Sequence, residues 1–204
     1  GKPIRPTPVG LFAFGFGRDA AKTSTIKITP PSGPIITRTL KVQSRDYKLQ
    51  RVNGVPQKTV TPPESVLGRI KKEGRLVKAA RKTDSNATDF LSTFQWPLIG
   101  PITGVYGSQR IYNGTPKRPH FGLDIAAPVG TAVRAPTDVT VTLAHQNMYY
   151  SGGTLIMDHG YGISSTFIHL DEVLVKVGDK VKKGDIVARV GSKGRSTGPH
   201  LDWR

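Results

Sequence analysis

The N-terminal part of the chain alternates apolar and polar residues with the period of two that is typical of β-strands. Three segments show this pattern, and each is rich in β-branched or aromatic residues and bounded by Pro or Gly: residues 9–16, 24–28 and 35–42. The Pro- and Gly-rich residues 30–34 predict a loop between the last two. The sequence therefore predicts a small β domain over residues 1–62.

The pattern changes to a helical period after this segment. Between Pro63 and Lys82, apolar residues recur at helix-like spacing among Arg and Lys, although two glycines weaken the predicted helix. The polar residues 83–88 are prone to turns and predict a linker. Residues 63–95 are therefore predicted to be a helical connector and linker.

From Trp96 onward, short runs of alternating residues are separated at regular intervals by Gly- and Pro-rich turns. Residues 139–143 and 153–158 are the clearest of these runs. This texture is typical of an antiparallel all-β domain, which we place at residues 96–204. The whole chain is thus predicted to be mainly β.

Composition narrows the class of protein. The chain has 204 residues and is 36% hydrophobic, with no run approaching the roughly 20 apolar residues of a membrane-spanning helix. Its first residues lack the apolar core of a signal peptide, so we expect that any export signal has been removed. Cysteine is absent, which excludes disulfides and thiolate metal sites. A metal would have to be held by His, Asp or Glu.

The net charge of +16 is unevenly distributed. Residues 1–90 contain 18 Lys and Arg against 6 Asp and Glu, a balance of +12, whereas residues 91–204 contain 12 against 8, a balance of +4. A basic surface attracts polyanions such as nucleic acid, anionic lipid or a carboxylate-rich cell wall, but it is equally often a solvated face. Because the chain has no RNP-like run and no zinc-finger spacing, nucleic-acid binding ranks far behind the other functions.

Four of the five histidines lie in Gly- or Pro-flanked or strand-end contexts. His120 and Asp124 are four residues apart, and a Gly-Pro-His element ending at His200 follows about 80 residues later. Such a pattern can gather ligands around one zinc ion and leave a coordination position open. His169 is a further candidate, whereas His159 is more simply explained as a buried, hydrogen-bonded histidine.

Five segments closely resemble the lysostaphin/LytM family of zinc metallopeptidases, which cut peptidoglycan: residues 107–110, 119–131, 167–170, 177–185 and 197–201. The resemblance covers roughly residues 96–204, in order and with compatible spacing. It implies a metallopeptidase domain built on an antiparallel, barrel-sandwich-like β-sheet. The segment at residues 177–185 resembles a hairpin that also occurs in biotin- and lipoyl-carrier domains. The chain lacks the modifiable Lys that a carrier has at the hairpin tip between characteristic neighbours, and carriers have no counterpart of the His120 element.

The resemblance also implies roles for individual residues. His120 and Asp124 correspond to zinc ligands, and His169 and His200 correspond to the two imidazoles beside the metal-bound water. We expect His200 to act as the base and His169 to stabilise the oxyanion, although the sequence does not separate the two roles.

One position departs from the family pattern. The family usually has His-x-His at its C-terminal motif, whereas this chain has His200-Leu201-Asp202. Because alternate residues of a strand share a face, Asp202 is expected to be the third ligand. The change allows three interpretations: an active enzyme with an unusual ligand, a form with reduced metal affinity, or a degenerate member that binds cell wall or activates other hydrolases. Retention of the other four site residues favours catalysis.

These observations predict a zinc-dependent endopeptidase that hydrolyses peptide crosslinks in bacterial peptidoglycan. We expect it to be exported to the cell envelope, in the periplasm rather than secreted, and to contact stem peptides. Its basic N-terminal half would either hold it on anionic envelope polymers or lie over the substrate groove. Since the family's domain normally continues with another strand, we also expect the chain to end before that domain does, at Arg204.

Overall fold

The structure, a computed structural model, describes residues 3–204 and is mainly β, as predicted. Its strands, in chain order, are β1 (Thr23–Ile28), β2 (Ile36–Lys41), β3 (Leu49–Val52), β4 (Ile102–Gly104), β5 (Gln109–Tyr112), β6 (Thr115–Pro116), β7 (Leu123–Ala126), β8 (Ala132–Arg134), β9 (Val139–Met148), β10 (Gly152–Gly160), β11 (Ile163–Val173), β12 (Lys180–Val181), β13 (Ile186–Val190) and β14 (His200–Trp203). The helices are α1 (Gln57–Val60) and α2 (Leu67–Ala80), with short 3-10 turns at Glu64–Val66 and Asp89–Leu91. No helix within residues 3–204 is long and apolar enough to cross a bilayer.

Nine strands form the central sheet. Seven of them follow the order β12-β9-β10-β11-β14-β7-β4, and β13 pairs with both β11 and β8. All of these pairs are antiparallel, which confirms the predicted arrangement. Over the described residues the sheet stays open and does not close into a barrel.

The main core lies along the long strands of this sheet. Leu155 and Met157 of β10, Phe167 of β11 and Leu201 of β14 are fully buried in it. Each buried side chain of this size stabilises the fold by roughly 1.5–3 kcal/mol relative to an exposed one. The strands that carry the site are therefore held by the most buried part of the molecule.

The predicted helix is present as α2, and it continues through both glycines, Gly68 and Gly74. Its last turn packs Ala80 and the partly buried Val77 against Leu143 and Met148 of β9 and Ile156 of β10, which form a second apolar cluster. This packing explains why two weak helix formers do not interrupt the helix.

The N-terminal strands lie in two different sheets. The antiparallel hairpin β1–β2 confirms two of the three predicted strands and the loop between them. Strand β3 instead pairs in parallel with β5, within the segment predicted to be the peptidase domain. The division into domains at residues 62 and 95 stays a prediction.

The strand predicted at residues 9–16 is wrong. Instead, a turn forms in which the amide of Thr7 donates to the carbonyl of Leu11, and residues 11–17 belong to no strand or helix. Phe12 stacks on Phe14 with ring centroids 6.1 Å apart, Phe14 meets Phe16 edge to face at 5.5 Å, and each ring is about 40% exposed. The alternation therefore accompanies contacts among three aromatic rings and not burial in a sheet.

Candidate metal centre

The predicted site residues lie on neighbouring strands of the central sheet, and the strand register brings them together. Asp124 on β7 lies directly opposite Asp202 on β14. His200 is two residues before Asp202 on the same strand, and His169 is on β11, the other neighbour of β14. His120 lies in the loop that leads into β7. All five predicted residues are therefore close to one another.

His120, Asp124 and Asp202 form a group that could hold a metal ion. All three are buried, and each offers a ligand atom within 4.8 Å of the others. His120 Nε2 is 3.2 Å from Asp124 Oδ1, and His120 Nδ1 is 3.8 Å from Asp202 Oδ2. Imidazole nitrogen and carboxylate oxygen are both ordinary ligands of zinc.

Three buried polar atoms at this point lack hydrogen-bond partners: His120 Nε2, Asp124 Oδ1 and His200 Nε2. The last two are 3.7 Å apart. A buried polar atom without a partner is costly, so a convergent group of them indicates a place where a ligand can bind. Two nitrogens and a carboxylate oxygen directed at one point fit a divalent cation and its bound water.

Arginine side chains hold the two carboxylates from outside this group. Arg110 Nη2 donates to Asp124 Oδ2 at 2.5 Å. Arg204 donates to both oxygens of Asp202, over distances of 2.7–3.2 Å. Burial alone would raise the pKa of Asp124, but the close approach of His120 and the hydrogen bond and charge of Arg110 hold it well below its usual value. Asp124 therefore stays ionised.

The two imidazoles expected beside the metal form a pair, with ring centroids 4.8 Å apart. Nδ1 of His169 lies 2.8 Å from the carbonyl of Lys193, and Nδ1 of His200 lies 2.9 Å from the carbonyl of Gly198. Because a carbonyl only accepts, both Nδ1 atoms must carry the proton, which leaves each neutral ring with a bare Nε2. Burial and then the neighbouring His200 lower the pKa of His169 to about 4.

His169 is also unusual in its backbone. Its φ of 65° lies in the left-handed region, which a non-glycine residue rarely adopts. The amide of His169 donates to the carbonyl of Ser151 at 2.7 Å, which holds this conformation. Such strain is common at functional sites, where it fixes the direction of a side chain.

Among the cleft residues that the sequence interpretation missed are Arg110, Arg204 and Gln50. Arg110 lies within a segment that resembles the metallopeptidase family, so that segment was the available signal. Gln50 comes from β3, and its side chain both accepts from Arg110 Nε and donates to the carbonyl of Thr103. No sequence signal identifies this contact, because it depends on the pairing of β3 with β5.

The two imidazoles open onto two cavities that share Arg110, Tyr112 and Arg195 as lining residues. The first cavity is also lined by His200 and Asp124, and by Gln50, Val52 and Val55 from β3 and the residues that follow it. The second cavity is also lined by His169, Asp202 and Tyr150. The cleft beside the metal centre is therefore walled partly by the N-terminal segment and is rich in arginine.

His159 lies outside this group, as its sequence context suggested. It is fully buried, its Nε2 is 2.7 Å from Ser165 Oγ, and its ring lies 4.8 Å from that of Phe94. It belongs to the packing of β10 and β11.

Comparisons with known proteins agree with this geometry. The peptidoglycan DD-endopeptidase ShyA of Vibrio cholerae is 35% identical over 124 residues, which cover 59% of this chain and 29% of ShyA. A crystal structure described as an M23 peptidase from Pseudomonas aeruginosa superposes with a TM-score of 0.75 at 26% identity, over 100% of this chain and 78% of that one. A zinc-containing peptidase from Vibrio cholerae gives a TM-score of 0.51 at 33% identity, over 55% of this chain and 36% of that one.

The chain thus spans less than a third of the length of ShyA. The part that carries the site, residues 118–204, matches the sequence profile of peptidase family M23. On this match, residues 118–204 form a domain of peptidase family M23.

Proposed function

We propose that the chain is a zinc-dependent endopeptidase that hydrolyses peptide crosslinks in bacterial peptidoglycan. The observation that carries the proposal is the convergence of the unpartnered, buried atoms His120 Nε2 and Asp124 Oδ1 beside Asp202 and a pair of imidazoles. The similarity to ShyA, a peptidoglycan DD-endopeptidase, supports the substrate class. The similarity to a zinc-containing peptidase supports the metal.

His120, Asp124 and Asp202 would hold the zinc ion. Two carboxylates and a neutral imidazole offset the charge of a dication and leave a position for water. Zinc, when bound, supplies a Lewis acid for the scissile carbonyl and a water of near-neutral pKa. Arg110 and Arg204 orient the two carboxylates, a contact that typically affects metal affinity by about 10- to 100-fold.

The two imidazoles would handle the protons. His200 Nε2 is bare in the tautomer that its bond to Gly198 selects, so it can accept a proton from the attacking water and return it to the leaving amine. His169 has the same tautomer, and in its neutral form Nε2 accepts a hydrogen bond that orients this water. The predicted oxyanion role of His169 would require a second proton on its ring.

The substrate class in turn supports export to the cell envelope, with the periplasm as the compartment. The excess of Lys and Arg in residues 1–90 would hold the enzyme on anionic envelope polymers. The position of Gln50 and Val55 in the wall of the cleft supports a second role for the N-terminal segment, which is to limit access to the site.

Mass spectrometry of fragments released from purified peptidoglycan tests this function. We expect the zinc-loaded chain to convert crosslinked dimers to monomers, and we expect a chelator or the Asp124→Ala substitution to abolish this conversion. If a folded, zinc-loaded chain releases nothing, the protein is instead a non-catalytic wall-binding scaffold or an activator of other hydrolases. One observation favours that alternative: Arg204 binds both oxygens of Asp202, the carboxylate that replaces the family's histidine.

A further inference from the structure

A third arginine of the cleft, Arg195, has no carboxylate partner. Arg110 and Arg204 bind Asp124 and Asp202, respectively. Within residues 3–204, the guanidinium of Arg195 makes neither an ion pair nor a hydrogen bond, and only its backbone amide is bonded, to the carbonyl of Tyr150. A cation beside a catalytic centre is thus left without a counter-charge.

Two tyrosines fix the position of this cation. The guanidinium carbon of Arg195 lies 5.0 Å from the ring centroid of Tyr112 and 4.9 Å from that of Tyr150. A cation–π contact uses the charge of the guanidinium and none of its hydrogen-bond donors, so the N–H groups remain available to a ligand. Burial lowers the pKa of Arg195. The side chain is therefore held in place and has unused hydrogen-bonding capacity.

Arg195 also lines both cavities beside the two imidazoles. One of these cavities is lined by His200 and the other by His169. A peptide whose scissile bond lay between the two imidazoles would therefore extend past this guanidinium.

We propose that Arg195 binds a free carboxylate of the substrate peptide beside the scissile bond. The inference rests on the proposed function and adds a substrate preference to it. The planar fork of a guanidinium matches a carboxylate with two parallel hydrogen bonds. Stem peptides that contain acidic residues offer such a group, whereas a bridge of glycines offers none. Arg195 therefore favours crosslinks next to a carboxylate-bearing residue over glycine bridges.

Isothermal titration calorimetry of an uncrosslinked stem tetrapeptide with the zinc-loaded chain tests this inference. The tetrapeptide has no crosslink, so the chain can bind it without cutting it. We expect the tetrapeptide with free carboxylates to bind roughly 10- to 100-fold more tightly than its amidated form. Arg195→Gln should abolish the difference, and Arg195→Lys should restore only part of it. Arg134→Gln is the matched control, because Arg134 lies on β8, is exposed and bonds only the carbonyl of Gly184.

Kinetics on crosslinked dimers provide a second measurement. Arg195→Gln should raise KM for the free-carboxylate substrate 10- to 100-fold with little change in kcat, and leave KM for the amidated substrate unchanged. The unfolding temperature of each variant shows whether the tyrosine packing survives.

Failure of the inference and failure of the proposed function can be told apart. Arg195-dependent preference for the free tetrapeptide without cleavage would uphold the inference and refute the proposed hydrolysis. Equal binding of the free and amidated peptides by the original chain, or an unchanged preference in Arg195→Gln, would overturn the inference even if crosslinks are cut.

Discussion

At the scale of single residues, Asp202 is the residue on which we expect the affinity for zinc to depend. Its carboxylate can contribute to the metal group, yet Arg204 already binds both of its oxygens. We expect Asp202→Ala to weaken zinc affinity by at least tenfold, and Asp202→His to retain or raise it, since imidazole is the family's usual ligand here. Competition with a chromophoric chelator measures both affinities.

The control for this prediction is Asp19→Ala, which removes an exposed carboxylate whose partner, Arg18, is its chain neighbour. It should leave zinc affinity unchanged. Unchanged affinity in Asp202→Ala as well would mean that Arg204 keeps the carboxylate from the metal and that the remaining residues suffice to bind it.

A second prediction at this scale concerns His159 and the pH dependence of stability. Burial lowers the pKa of His159 to about 4, against an opposing effect of Asp158, whereas an unfolded histidine titrates near 6.5. The unfolded chain therefore binds more protons between these values, so the free energy of unfolding should fall as the pH falls from about 6.5 to about 4. Urea unfolding of the metal-free chain at several pH values measures this loss.

His159→Gln removes the titrating ring and should make that loss smaller. His145→Gln is the matched control, because His145 is only partly buried on β9. If both variants retain the pH dependence of the original chain, other groups are responsible for it.

At the scale of elements, close packing between strands positions the carboxylates of the candidate metal centre. A Cβ added at Gly104 on β4 would overlap Asp124 Oδ2 and lie 2.6 Å from Arg110 Nη2. We expect Gly104→Ala to displace this ion pair and to weaken zinc affinity severalfold, as measured by the same chelator competition. In Gly68→Ala, by contrast, the added Cβ in α2 meets nothing within 4 Å, and the variant should be more stable by about 1 kcal/mol with unchanged zinc affinity. Equal zinc affinity in the two variants would show that Asp124 tolerates displacement.

The same scale shows what could be predicted from the sequence. Strands β1, β2, β9 and β10 and helix α2 were predictable because their periodicity reflects burial or hydrogen bonding within one local element. The side-by-side placement of His200 and Asp202 was predictable from strand alternation, and both residues do lie on β14. The prediction of a strand at residues 9–16 was wrong, because phenylalanines at every second position contact one another there and imitate the alternation of a strand.

Contacts between distant segments were not predictable in this way. The pairing of β3 with β5 is parallel and joins residues about 60 positions apart, and no local pattern specifies it. Gln50 therefore enters the cleft without any sequence signal. The position of Arg195 between Tyr112 and Tyr150 likewise depends on three separate segments that meet only in the folded chain.

At the scale of the whole molecule, most of the excess positive charge belongs to a different part of the chain from the candidate metal centre. Asp124 and Asp202 balance the charges of Arg110 and Arg204 at that centre, whereas most of the excess Lys and Arg belongs to residues 1–90. The hairpin β1–β2 displays part of this charge on exposed residues. A long-range field of this kind concentrates an enzyme on an anionic polymer without changing its chemistry.

The hairpin should therefore contribute to retention on the wall and not to turnover. We expect the triple variant Lys27→Gln, Arg38→Gln and Lys41→Gln to bind purified peptidoglycan more weakly at low salt, and the deficit should shrink as salt screens the remaining charge. Its kcat/KM on a soluble crosslinked peptide should match that of the original chain. Co-sedimentation with peptidoglycan over a range of salt concentrations measures the binding.

The matched control removes three exposed cations from the peptidase part of the chain, at Lys176, Lys180 and Arg189. A deficit confined to the hairpin variant would locate wall binding in the N-terminal half, because the change in net charge is the same. Equal deficits in the two variants would mean that net charge alone governs retention. In that case the position of β3 beside the cleft would remain the only structural reason to assign the N-terminal segment a part in the enzyme's function.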